Sequence, residues 1–133
     1  MPKQSAIRVL IIEDEGADTE KAITIFNRLG LQIQSKTAVW SARNLLEDIA
    51  NGEHPAPHLM ILDLGFPHES GFEILRYWKS TPALAKISII VWTQSRELDR
   101  HIADLFEVSA VVQKSQGTEA LEKELKRVIA GLT

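Results

Sequence analysis

The chain contains no cysteine, which excludes disulfide bridges, zinc-thiolate sites and thiol catalysis. Aromatic residues are scarce at 6%, and positive charge has no excess: the net charge is −3. With no Lys/Arg cluster either, the chain has no electrostatic footing for nucleic acid. Long apolar runs are also missing. The stretch from Ala6 to Ile12 is interrupted by Arg8 and is too short for a signal segment or a membrane span. The opening Met-Pro-Lys-Gln-Ser has no basic region leading into an apolar one. These absences point to a cytoplasmic protein with no membrane partner. What is present is an ordinary globular mix, 44% apolar and 25% charged. A length of 133 residues suits one domain, 1–133, with a proper core, and is too short for two.

Two kinds of segment alternate along the chain. Short apolar, β-branched runs predict strands buried on both faces at Ile7–Ile12, Leu59–Leu62 and Ile87–Trp92. Weaker strand signals lie at Gln32–Val39, which alternates, and at the very short Ala110–Gln113. Between them run helical stripes: Ala22, Phe26 and Leu29; Ala42, Leu45, Leu46 and Ile49; and Phe72, Leu75 and Trp78. A fourth stripe is Leu98, Ile102 and Leu105, where Leu98 to Phe106 offers either an interaction face or, by default, core burial, and a fifth is Leu121, Leu125, Val128 and Leu132. Gly30 and Gly52 stand where left-handed helix caps belong, and Pro55, Pro57 and Pro82 fall in connections. The alternation predicts a doubly wound α/β domain, (βα)5, with a parallel five-stranded sheet covered by helices on both faces.

In open parallel sheets ligands bind beyond the carboxyl ends of the strands, so the residues just after each strand matter most. Glu13-Asp14-Glu15 follows the first strand, Asp63 the third, Thr93 the fourth and Lys114 the fifth. Carboxylates converging there repel: at an effective dielectric of about 20, unit charges about 4 Å apart oppose each other by about 4 kcal/mol. A hard divalent cation removes that cost, and carboxylates with a backbone carbonyl and waters suit Mg²⁺. Asp63 is placed to attack phosphorus and form an acyl phosphate. Lys114 then offers a point charge to the phosphoryl oxygens, and Thr93 a hydroxyl donor. Any one of these residues alone reads more simply as a helix cap or a solvated loop group. Their coincidence at four strand ends favours a joint site. His54, His58, His68 and His101 show no ligand spacing and read as surface or loop residues. Trp40, Trp78 and Trp92 read as packing groups.

Taken together, Glu13-Asp14, Asp63, Pro67, Gly71, Thr93 and Lys114 resemble the receiver domain of bacterial response regulators, essentially end to end. The resemblance implies a flavodoxin-like sheet of order 2-1-3-4-5. It implies Mg²⁺ bound directly by Asp14 and Asp63, through a water by Glu13, and by the Gly65 carbonyl. It further implies phosphotransfer to Asp63 from a sensor histidine kinase or phosphotransfer protein, Thr93 and Lys114 assisting, and a conformational signal to a downstream protein. Such a chain assists its own phosphorylation and dephosphorylation but is not an independent enzyme. Three positions depart from the family pattern. Val111 stands where an aromatic is usual, Gln94 where a small residue is usual, and Ser115 where proline usually follows the lysine. Lys-Ser also occurs in stand-alone receivers that partner bacterial phytochromes. Because Val111 has no ring to swing, phosphorylation is expected to be read near Arg96, Glu97 and His101, after the fourth strand.

Other classes fit less well. A haloacid-dehalogenase-type phosphatase needs a second acid two residues beyond the nucleophile, where Gly65 stands. A flavin binder needs a hydroxyl- and glycine-rich loop after the first strand, and Glu13-Asp14-Glu15 would repel the phosphate. The remaining alternative is a receiver-fold interaction module that acts without phosphorylation. The chain reads as a stand-alone regulator, and homodimerisation through the fourth or fifth helix stays open.

Overall fold

The structure is a computed structural model that describes residues 7–13, 16–37, 39–63, 70–93, 101 and 104–132. Five strands form one sheet: β1 (Arg8–Ile12), β2 (Gln32–Thr37), β3 (Leu59–Leu62), β4 (Ser88–Thr93) and β5 (Ala110–Gln113). Every pairing is parallel and the order is β2-β1-β3-β4-β5. Among the described residues the longer helices are α1 (Gly16–Arg28), α2 (Val39–Ala50), α3 (Ser70–Ser80) and α4 (Thr118–Leu132). The fifth helical stripe of the sequence forms α4. Of the fourth stripe, Leu98 and Ile102 lie outside the described residues, whereas His101, Asp104 and Leu105 are helical.

The period of a strand divides its residues between two apolar layers. Leu10, Ile12, Met60, Leu62, Ile89 and Val91 face α2 and α3, packing against Ala42, Leu46, Ile74, Leu75 and Trp78. Val9, Ile11, Leu59, Ile61, Ile90 and Trp92 face α1 and α4, packing against Ile25, Phe26, Leu121 and Leu125. Two covered faces explain why the central strands are continuous apolar runs. Trp78 serves as a packing group, its indole N–H donating to the Ile87 carbonyl at 3.1 Å. The side chain of Trp40 lies outside those described.

Helix ends follow the glycines. At Gly30, φ is +75°, and the Leu31 amide reaches back to the Phe26 carbonyl at 2.9 Å, the six-residue closure of a Schellman cap. Gly52 repeats it at φ +82°, with Glu53 donating to the Asp48 carbonyl at 2.8 Å.

Three expectations need correction. The second strand stops at Thr37, and Val39 already begins α2. The fourth strand runs one residue later than its apolar run: the Ile87 amide bonds to the Leu84 carbonyl and closes a 3-10 turn, while Thr93 pairs with Gln113. Leu105 is 78% exposed, against the default of core burial; Phe106 and Val108 take the half-buried places against the α2/α3 layer instead.

His58 is more than a loop residue. Its Nδ1 accepts the Arg8 amide at 3.0 Å. Its own amide donates to the Arg8 carbonyl, and its carbonyl accepts from the Ser88 amide. It thus ties the amino ends of β1 and β4 to the start of β3. An acceptor Nδ1 requires a neutral ring. Burial, and then the charge of Arg8, hold its pKa below the ordinary 6.5. The unfolded chain therefore takes up this proton first on acidification. The stabilisation is complete above the unfolded pKa and is lost as pH falls through the lower folded value. Between about pH 7.5 and about pH 5.5, the urea midpoint of the wild-type protein should fall more steeply than that of His58→Asn, whose carbonyl oxygen can accept the same amide. Parallel profiles would rule out a neutral His58.

Candidate functional site

Three charged side chains meet at the carboxyl edge of the sheet. Glu13 follows β1, and Asp63 follows β3 with its amide donating to the Ile12 carbonyl at 3.0 Å, which fixes the two acids on neighbouring strands. Lys114 follows β5, and its Nζ lies 2.9 Å from Glu13 Oε2 and 3.1 Å from Asp63 Oδ2. The side chains of Glu13, Lys114 and Asp63 are 2%, 7% and 10% exposed. Thr93 ends β4, between β3 and β5 in the sheet, and is buried.

The backbone beyond Lys114 is held as carefully as its side chain. Lys114–Gln116 form a 3-10 turn, capped reciprocally by the side chains and amides of Gln113 and Gln116. Gly117, at φ +88°, closes it by donating to the Lys114 carbonyl at 3.1 Å. This turn stands where the family usually has proline. Trp92 is the other contributor that the sequence did not flag: the Lys114 ammonium lies 5.2 Å from its ring centroid. In the sheet Trp92 pairs with Val112, two residues before the lysine, a register that the apolar pattern does not reveal.

Of the residues expected at the site, the structure gathers Glu13, Asp63 and Lys114 and sets Thr93 at the same edge. Asp14, Gly65, Pro67, Gln94, Arg96, Glu97 and His68 lie outside the described residues. Gly71 is described, buried in the first turn of α3. Among the described residues no three His, Asp or Glu side chains form a metal cluster. The donor set itself suits a hard cation, because Glu13 and Asp63 supply only carboxylate oxygens. His54, His58 and His101 take no part.

The charges do not balance. When both carboxylates are ionised, one ammonium leaves the trio with a net negative charge almost out of water. Burial, and next the charge of Asp63, push the Glu13 carboxyl up to about 7, while Lys114 pulls it back. Opposite effects should follow from two substitutions in metal-free buffer. Lys114→Met takes the ammonium away from two buried carboxylates and should destabilise by about 3–5 kcal/mol. Asp63→Asn removes one of the two negative charges and should leave stability unchanged or raised. Urea unfolding with a chelator present measures both, and a loss of the same size in each would contradict this account of the trio.

No family model matches the chain. Response regulator Rcp1 of Synechocystis sp. is 28% identical over 93% of this chain and 84% of its own length. A signal receiver domain of two-component signal transduction (histidine kinase) from Clostridium thermocellum superposes with a TM-score of 0.75 at 27% identity, covering 91% of this chain and 95% of that one. The Mn²⁺-bound form of Rcp1 also gives a TM-score of 0.75, at 25% identity, covering 91% of this chain and 90% of that one. In sequence and in fold, this chain is similar to the receiver domains of two-component response regulators.

Proposed function

We propose that the protein is a phosphoacceptor response regulator that takes a phosphoryl group on Asp63 from a histidine kinase or phosphotransfer protein. The observation that carries this reading is the buried Glu13–Lys114–Asp63 trio at the carboxyl ends of β1, β5 and β3. An Asp63 carboxylate oxygen bonds to phosphorus as the phosphorus–nitrogen bond of the donor phosphohistidine breaks. The imidazole leaves with the electron pair and recovers a proton. Lys114 stays beside the carboxylate and meets the incoming phosphoryl charge, and the Thr93 hydroxyl supplies a further donor. Glu13 and Asp63, with Asp14 and the Gly65 carbonyl, would hold Mg²⁺, which when bound neutralises oxygen charge around the phosphoryl group. A divalent site has support from the Mn²⁺-bound form of the relative Rcp1. The signal then passes to a protein partner in the cytoplasm, with neither nucleic acid nor membrane. No helix among the described residues is long and apolar enough to cross a membrane. Signalling without phosphorylation usually goes with loss of the acceptor, the acidic pair or the lysine, and this chain keeps all of them.

Acetyl phosphate with Mg²⁺ should label the wild-type protein, and Asp63→Asn should take up no phosphate while keeping its fold. Continued incorporation into the variant would remove Asp63 from the role. For the metal, Asp14→Ala should weaken Mg²⁺ binding far more than Glu13→Gln, read by the fluorescence of Trp92 beside Thr93. Equal losses would show that the two acids do not divide the work as direct and water-mediated ligands.

A further inference from the structure

We infer that Trp92 is a positioning residue, its indole face holding the Lys114 ammonium in place against Glu13 and Asp63. What the ammonium is held for rests on the phosphoacceptor reading; the contact itself does not.

The geometry is that of a desolvated cation–π pair. Nζ lies 5.2 Å from the ring centroid, inside the roughly 6 Å over which a ring quadrupole attracts a cation. Trp92 is 2% exposed and the Lys114 side chain 7%. Little water screens the attraction, so it is at the strong end of its range. The Lys79–Trp78 pair makes a useful contrast. There the ammonium is 5.7 Å from the ring, but the lysine is 44% exposed and bound to Glu107, so the ring contact is incidental.

A second observation shows why an indole stands here. The Trp92 N–H is buried and has no hydrogen-bond acceptor among the described residues. Burying an unpaired donor is unfavourable, and phenylalanine or leucine would fill an apolar site without that penalty. No acceptor among the described residues accounts for the polar end of the side chain. What tryptophan adds over the alternatives is the strongest π face of any side chain. Such a face attracts an ammonium without offering it a lone pair. It fixes where the charge sits and leaves the N–H groups to oxygen acceptors, Glu13 and Asp63 in this state.

Placement in the sheet supports the same role. Because β4 lies between β3 and β5, a lysine following β5 reaches Asp63 only by crossing the end of β4, whose penultimate residue is Trp92. Without the ring, the four-carbon stem would have more freedom to carry its charge elsewhere.

The test separates the ring from its bulk. Trp92→Phe and Trp92→Met leave side chains of similar size, and only the first keeps an aromatic face. Each is combined with Lys114→Met in a double-mutant cycle read by urea unfolding. The coupling between positions 92 and 114 should be about fivefold or more in the unfolding constant for Trp92→Met, and clearly smaller for Trp92→Phe. In the wild-type protein the Lys114 ε-methylene protons should be shifted upfield by the ring current, which needs no variant to fold. Where all variants are folded, Trp92→Met should label on Asp63 with acetyl phosphate several-fold more slowly than Trp92→Phe. Equal coupling and equal labelling for the two variants, or an unshifted ε-methylene, would make Trp92 a packing group and overturn the inference. If the wild-type protein takes up no phosphate at all, the phosphoacceptor reading fails, and the cycle and the ring-current shift still decide the contact.

Discussion

Lys114 reaches from the end of β5 to carboxylates beyond β3 and β1, and these three side chains are nearly out of solvent. Parallel neighbours lie about 4.8 Å apart, so β5 and β3 are separated by roughly 10 Å and β5 and β1 by more. A contact that spans four of the five strands requires their ends to be level and their spacing fixed. The continuous apolar runs supply this: Leu59–Leu62 is buried throughout, as is β1 after Arg8. A strand buried on both faces is held from both layers, and its end residues inherit that rigidity. The helices contribute mainly by covering the faces, and the capped turn after Lys114 fixes the origin of the long side chain.

The same contact sets two buried acids against one base. An apolar trio of similar volume would be at least as stable as this one, since desolvating ion pairs offsets much of their attraction. Burial, and then the charge of Asp63, raise the Glu13 pKa to about 7. Local stability is given up at the one edge where parallel sheets carry their chemistry.

Much of this was legible in the sequence, for a definite reason. Apolar runs locate buried strands, and a parallel sheet then brings the residues after those runs to one edge. Glu13, Asp63, Thr93 and Lys114 could therefore be named from spacing alone. What failed was set by interactions that periodicity does not encode. The end of β2 and the one-residue offset of β4 depend on backbone hydrogen bonds, such as Ile87 to Leu84, rather than on side-chain pattern. Leu105 shares a helical stripe on paper, but a stripe says which residues face together and not that anything covers them. His58 hid its role because its ring partner, the Arg8 amide, is 50 residues away. Trp92 satisfied every criterion of a core residue, being apolar, on a buried strand and at the right period, and nothing in that pattern reveals a charge against its face.

Val111 and Trp92 also divide the sheet in a way that bears on how a change at Asp63 could spread. Val111 packs half-buried in the layer under α2 and α3, whereas Trp92 belongs to the layer under α1 and α4. A β-branched valine is stiff at χ1 and has no ring to rotate, so that side of β5 offers little rotameric freedom. The aromatic ring that does touch the site's charge lies on the opposite face, packed with Phe26, Leu121 and Leu125. Interiors this dense transmit displacement rather than absorb it. The site's charge is thus in contact with the α1/α4 layer through Trp92, while Val111, in the α2/α3 layer, has no ring to offer it.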